Sequence, residues 1–552
     1  MENPSILVKY SAPAREPHGE RDYSRLTAVS QPALHCDRQD PQFLRGRCLP
    51  GCALALTLLA GTAHAACGSA IHPYVVQGPG EASPMEGETV TATGTVTAVT
   101  PDLRGFFIQG PTDGDPRTSE ALFIFSPERA VEIGRQVAVT GEVKEFHGLT
   151  ELTAVRRVTD CGPGEMPEPV LLGSPAEPLE NMRVRIPESI IVDNYRLFDV
   201  GELVVADGTH EWTLEDASNE RRLQEIPWGL PQDPTLVANG NRVGELTGVL
   251  TWRWNRWVIL PDEPLTIEPA DWTIQPPENS QLRLVSFNIE NLFSGLHGDF
   301  SHSRGAGSAA EWARQRQKVA SALQALDADL LLLQEMEHDQ GSGSEVLAEM
   351  AALIASRGGR HYEAIAPSVR PGDDAITNAF LYDPERLQPE GELQRIESDP
   401  RPALIQAFTR LDSGATVEVI NVHMKSRGHN CDHLCKAERA EEMELIMTWL
   451  GAQDEQPFRL LGGDFNTLTG ESLWAPLVDA GWQRLDVEAP TYWFRGRAQQ
   501  LDHIWLHSAP AGISGQVQPG HAEMPPLPYL HPLYDPQSPW GASDHNPVIL
   551  HW

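Results

Sequence analysis

Basic residues are scarce in this chain: 42 Lys and Arg stand against 77 Asp and Glu, a formal net charge of −35. An acidic surface of that strength repels polyanions and anionic membranes at long range, which excludes holding them through a broad electrostatic field. Any site for an anion must gather its cations locally. Long apolar runs are also scarce. Beyond residue 62 no segment is long and apolar enough to span a bilayer, so no membrane span is expected there. Cysteine is sparse, with seven in 552 residues and no CxxC pair, which argues against a thiolate metal site. No residue set repeats closely enough between regions to indicate internal duplication.

What is present begins with a processing signal. Arg45-Gly46-Arg47 supplies positive charge, Cys48 to Thr62 is largely small and apolar, and Ala63-His64-Ala65 forms an A-x-A cleavage site. Residues 1–65 therefore read as a signal peptide with a long N-terminal extension, and the mature chain as secreted, to the medium or the periplasm. A start codon placed too early would explain the extension. A lipoprotein anchor at Cys67 is the rival reading, opposed by His64 where such signals resemble a Leu-rich box. Cleavage after Ala65 leaves Cys67, Cys161, Cys431 and Cys435. An even number in an oxidising compartment suggests two disulfides, with three pairings open. We favour Cys67–Cys161, which ties off one domain, and Cys431–Cys435, which staples one loop.

Residues 66–165 read as short β-strands punctuated by glycine and proline. The pattern T-V-x-x-x-G-x-V-x-A-V from Thr89 to Val99, then Gly105-Phe106-Phe107-Ile108-Gln109, then V-x-V-x-G-x-V from Val137 to Val143, resembles a bacterial OB-fold module. Such modules hold single strands on aromatics and a basic groove. Phe106 and Phe107 are candidates to stack on bases, although few basic residues accompany them and one of two adjacent strand aromatics should face the core. Residues 166–268 form a second β-rich region, with strands at Met182–Ile186, Glu202–Ala206 and Glu245–Trp252. There Trp252, Trp254 and Trp257 surround Arg253, Asn255 and Arg256, as a contact surface with cation–π character or as a twisted hairpin with one buried face. Residues 269–280, with Pro269, Pro276 and Pro277, read as a linker.

From Leu282 the texture changes. Strands are expected at Leu282–Ile289, Leu330–Leu333, Val417–Met424 and Phe458–Leu461, and helices at Ala309–Ala325 and Lys436–Leu450, which makes an α/β layered domain. Six short patterns sit where these apolar strands end: Ser286-Phe287-Asn288-Ile289-Glu290-Asn291, Leu333-Gln334-Glu335, Asn421-Val422-His423-Met424-Lys425-Ser426, Gly463-Asp464-Phe465-Asn466, Leu501-Asp502-His503-Ile504 and Ser543-Asp544-His545-Asn546-Pro547. Strand-end loops are where α/β scaffolds carry sites. Each pattern alone is weak, and a lone His423 is more often structural. Together they suit an attack on a phosphodiester. That anion repels hydroxide, and a hard divalent cation neutralises it and stabilises the leaving oxygen. Asn288, Glu335 and Asp544 offer oxygen ligands for Mg2+ or Mn2+, with Ca2+ a third choice. Asp464 and Asn466 can orient and deprotonate a water. His545, with Asp502 to fix its tautomer, can stabilise the pentacovalent transition state, and His423 can bind another phosphate oxygen or protonate the leaving alkoxide.

That ordered set strongly resembles the endonuclease/exonuclease/phosphatase (DNase I-like) superfamily over residues 281–552. The resemblance implies a four-layered α/β sandwich of two packed sheets. It implies metal-site roles for Asn288, Glu335 and Asp544, and catalytic roles for His423, Asp464, Asn466, Asp502 and His545. The layout, β modules and then this domain after a signal peptide, is similar to bacterial extracellular nucleases that act on DNA or RNA. A phosphodiesterase or phosphatase for lipid head groups or inositol phosphates is the alternative, with Pro525–Tyr534 as its membrane-docking candidate. No obligate protein partner is evident. Two departures stand out. Met336-Glu337-His338-Asp339 is acidic where related enzymes can place a basic groove contact. The carboxylate supporting the first histidine has no clean match, Asp373 and Asp374 being loose candidates. Substrate binding would then fall to Arg370, Lys425, Arg427, Arg495 and Arg497, with Tyr492, Trp493 and Phe494 beside the last pair to wedge or stack.

Overall fold

A long strand rich in Thr and Val can pair with different neighbours along its length, and the first strand does so. The computed structural model describes residues 67–552 apart from 101–102, 128–129, 216–233, 278–279, 296–299, 302, 339–344, 368–373, 429–430, 454–457 and 526–534. The expected signal, Arg370, Asp373 and nearly all of Pro525–Tyr534 thus lie outside the described residues. Strand β1 (Thr89–Thr100) pairs with β2 (Gly105–Gln109) at its end and with β4 (Arg135–Phe146) at its start. Strand β3 (Ala121–Phe125) runs parallel to β5 (Leu149–Pro163), and the five close into a barrel of order β1-β2-β3-β5-β4. A Cys67–Cys161 disulfide ties the entering chain to β5.

Successive strand residues face opposite sides. Phe106 fills the barrel core with Ile108, Leu122 and Ile124. Phe107 points outward, onto Val249, Val258 and Leu260 of the next sheet. Both rings are fully buried, so neither can stack on a base. The second β-rich region forms a nine-stranded sheet spanning Val170–Glu268, cored by Trp212, Leu203, Leu214 and Ile259. Trp252, Trp254 and Trp257 lie on a tight hairpin of Leu246–Arg253 and Arg256–Pro261. Trp254 and Asn255 make the two-residue turn, with φ of 53° and 61°. Trp252 meets Trp257 edge-on at 5.1 Å and donates to the His147 carbonyl at 3.0 Å, while Trp254 is 77% exposed.

The last region stacks two six-stranded sheets. Leu284, Leu330, Leu332 and Phe380 of the first meet Leu404, Phe408, Val417 and Leu460 of the second. Leu331 and Leu333 point the other way, into helices Ala309–Leu326 and Glu345–Ser356. This explains the unbroken leucine run: a strand covered on both faces needs no alternation. Ser308 caps the first of these helices, its hydroxyl accepting from the Glu311 N–H at 3.3 Å. Helices Lys436–Gly451 and Ala475–Asp479 cover the second sheet through Met443, Ile446 and Leu477. The order is helix, sheet, sheet, helix. Among the described residues no helix is long and apolar enough to cross a membrane.

Candidate active site

Strand register builds the site. In the second sheet His423 lies beside Asp464, and Asp464 beside Asp502. Gly463 permits this approach: its φ is 148°, and an added Cβ would sit 1.9 Å from the Val422 carbonyl oxygen. In the first sheet Asn288 pairs with Gln334, after which a register shift turns Glu335, at φ 64°, out of the ladder. Asp544 and His545 arrive on the loop before the last strand, Val548–His551. Behind them Asn421 stitches the sheets together. Its Nδ2 donates to the Leu333 and Ala379 carbonyls at 3.1 and 3.0 Å, and its Oδ1 accepts from Gln334 Nε2 at 2.7 Å.

Asp464 is the hub. Its Oδ1 accepts from the Asn466 backbone N–H at 2.8 Å, and its Oδ2 from Asn466 Nδ2 and Asn288 Nδ2, each at 3.1 Å. His423 Nε2 stands 3.5 Å from that same Oδ2 and His545 Nε2 3.9 Å from it. His545 Nδ1 meets Asp502 Oδ2 at 2.8 Å, while Thr491 Oγ fixes that strand by accepting from the Leu501 and Asp502 N–H groups. Asp544 Oδ1 lies 3.9 Å from His545 Nε2. Glu335 Oε1 lies 3.8 Å from His423 Nε2, and its Oε2 accepts from the Asn291 N–H at 2.8 Å. Asn288 differs from the expected oxygen ligand. Its Oδ1 takes the Glu290 N–H at 3.1 Å, and it turns Nδ2 toward Asp464 and Glu335.

Burial dominates the electrostatics. It pushes the Asp464 carboxyl up to about 7 and that of Asp544 up to about 6. Glu290, buried against Asp544 and Glu335, is raised well above its ordinary value. The histidines diverge. Burial alone would lower His545, but the charges of Asp502 and Asp544 outweigh it and hold the ring well above its usual range. Burial and then the Arg401 charge drive His423 well below. Its Nδ1 is buried with no hydrogen-bond partner among the described residues. Asp464, Asp502 and His545 offer ligand atoms within 4.8 Å of one another. A crowd of desolvated carboxyls with oxygen and imidazole donors, and no sulfur, fits a hard divalent cation that would return them to the anionic form.

Residues 285–545 match the model of the Endonuclease/Exonuclease/phosphatase family. The match spans most of the two-sheet region and is where this chain is similar to that family. No curated protein matches the chain. Solved structures similar to it include D. rerio TDP2 complexed with single strand DNA product, at 15% identity over 49% of this chain and 97% of that one, with a TM-score of 0.34. A mannosyl-6-phosphatase of Bacteroides thetaiotaomicron shares 18% identity over 49% and 99%, with a TM-score of 0.33. Beta toxin of Staphylococcus aureus shares 15% over 49% and 99%, with a TM-score of 0.36.

Within the two-sheet region the basic residues part company. Lys425 is half-buried on the loop after His423, its N–H bonded to Glu442 at 3.0 Å. Arg427 turns to Glu471, which also draws Lys436 at 3.5 Å and Arg439 at 3.8 Å. Arg495 and Arg497 are exposed on a hairpin of Tyr492–Phe494 and Arg497–Gln499. That hairpin brings the Tyr492 ring within 4.8 Å of the His545 ring. Asp374 does not support His423. It pairs with Arg401 at 2.6 Å and Arg304 at 2.5 Å. Arg401 instead holds the His423 and Met424 carbonyls, at 3.1 and 2.8 Å. The Cys431–Cys435 disulfide closes the loop that follows. Sequence reasoning passed over Glu290, Thr491 and Arg401. Only Glu290 carried a signal, its place two residues after Asn288. Asn546 is anchored by Nδ2 to Glu523 Oε1 at 2.7 Å.

Proposed function

We propose that the chain is a secreted, divalent-metal-dependent nuclease that hydrolyses phosphodiester bonds of DNA, with RNA as a second polymer. The observation that carries this reading is the Asp502–His545 pair facing Asp464 across a buried carboxylate cluster. A divalent cation held by Glu335 and Asp544 would neutralise the phosphate and stabilise the departing oxygen. Asn288 orients Glu335 and Asp464 through its amide nitrogen. Asp464, fixed by Asn466 and kept anionic by the cation, takes the proton of the attacking water. Asp502 accepts from His545 Nδ1 and leaves Nε2 aimed at the phosphate, where a cationic ring stabilises the developing charge. His423, held neutral, binds a second phosphate oxygen.

The division into residues 66–165, 166–268, a linker at 269–280 and 281–552 belongs to this proposal. The strand order of the closed barrel supports reading the first as an OB-like module. With Phe106 and Phe107 buried, contact of that module with nucleic acid would rest on other residues. Export rests on the signal pattern, and two disulfides suit an oxidising compartment. The test is purified mature protein with supercoiled plasmid and with phospholipid, each with and without EDTA. Plasmid is cut, EDTA abolishes cutting, and phospholipid is untouched; hydrolysis of the lipid in place of the plasmid overturns the reading.

A further inference from the structure

The nine-stranded sheet region reaches the active site. Strand Ser189–Asp193 ends in a turn where Asp193 Oδ1 accepts from the Tyr195 N–H at 2.8 Å. Buried Asn194 then bridges two elements, its Nδ2 donating to the Val237 carbonyl at 2.9 Å and to the Glu523 carbonyl of the catalytic domain at 2.8 Å. The Asn239 N–H reaches the same Glu523 carbonyl at 2.7 Å. On the other side Gly496 (φ 73°) touches this turn so closely that an added Cβ would sit 2.6 Å from Asp193 Cβ. The turn is therefore fixed against the catalytic domain by backbone and buried amides.

Between them runs a cleft of about 810 Å3, with Tyr195 and Arg196 on one wall and Glu290, Tyr492, Arg495 and Asp544 on the other. Asp544 makes it continuous with the catalytic pocket. Its size lies in the range of about 300–1,000 Å3 that takes a compact organic group such as one nucleotide. Tyr195 is 46% exposed, an aromatic ring kept in water at the mouth of a charged cleft. Arg196 is paired with Glu202 at 3.1 Å, whereas Arg495 makes no ion pair among the described residues.

We propose that this cleft is the subsite for the nucleotide next to the scissile phosphate, with Tyr195 as the platform on which its base stacks and Arg495 as the cation for the adjoining phosphate. The proposal rests on the nuclease reading. Bases of any sequence present a π-face, so stacking of this kind gives affinity without sequence preference. In a strongly acidic chain a single unpaired arginine at the mouth is the local cation that such a substrate needs.

The test uses the whole mature protein with its metal, a short single-stranded oligodeoxynucleotide, and bis(p-nitrophenyl) phosphate, which has no base. Tyr195→Ala raises KM for the oligonucleotide by about 10-fold, in the range of base–aromatic stacking, and leaves kcat within about twofold. Tyr195→Phe, which keeps the ring, retains the wild-type KM. The KM rise is absent with bis(p-nitrophenyl) phosphate. Wild-type enzyme that cleaves the oligonucleotide, with an unaltered KM in Tyr195→Ala or equal damage in Tyr195→Phe, overturns the subsite alone. Wild-type enzyme that cleaves the small diester but leaves the oligonucleotide intact overturns the nuclease reading beneath it.

Discussion

The two sides of the catalytic pocket use the same residue type and leave it in opposite states. His423 and His545 are both buried, and both aim Nε2 at Asp464 Oδ2, from 3.5 and 3.9 Å. What differs is the group behind each ring. Asp502 stands 2.8 Å from His545 Nδ1 and supports a cation. Behind His423 there is Arg401, and the nearby carboxylate, Asp374, is already spent on Arg401 and Arg304. Burial penalises a charged imidazole on both sides, so the neighbour decides the charge. One site thus obtains a cationic donor and a neutral one without changing side chain.

The sharpest way to break this comparison is to remove each ring in turn. His545→Ala should lower kcat by about 10³–10⁴-fold and His423→Ala by about 10–100-fold, since only the first deletes a cation from the transition state. Initial rates on plasmid measure both, and equal losses would refute the division of labour. Next in size is the frame behind His423. Arg401→Met leaves Asp374 half-buried with one partner fewer, and should cost about 3 kcal/mol of stability by denaturant unfolding. An unchanged midpoint would mean that the pair holds nothing in place. The smallest effect makes the two sides alike. Asp502→Asn should reduce kcat by about 10–100-fold. Here the sign follows from the raised pKa: activity that needs protonated His545 is lost as pH rises through that pKa. Removing the carboxylate lowers the pKa, so the alkaline limb of the rate profile moves to lower pH. A limb that stays put would show that Asp502 does not set the charge.

The parts of the site carried by strand ends were legible in the sequence, because apolar strands announce where a polar residue stops them. Asn288, Glu335, His423, Asp464, Asp502, Asp544 and His545 all reach one pocket. Helix Ala309–Leu326 was legible from its periodicity, and the Leu330–Leu333 run from its unbroken apolar character, since both report burial. Strand Leu387–Ile396 was not. It is polar and largely exposed, and only its pairing with Ala403–Arg410 makes it a strand. Which arginine takes Asp374, or which glutamate takes Arg427, depends on contacts between loops far apart in sequence. The burial of Phe107 depends on a second sheet, of which its own strand carries no sign.

Asn194 and Asn239 grip the backbone of Glu523, and the Glu523 side chain in turn grips Asn546, the immediate neighbour of His545. The all-β region is thereby a buttress for the loop that carries His545 and not a detachable attachment. Cutting the gene at the family boundary to obtain a minimal enzyme would strip that buttress away. The excised fragment would be expected to hold His545 more loosely than the intact chain does.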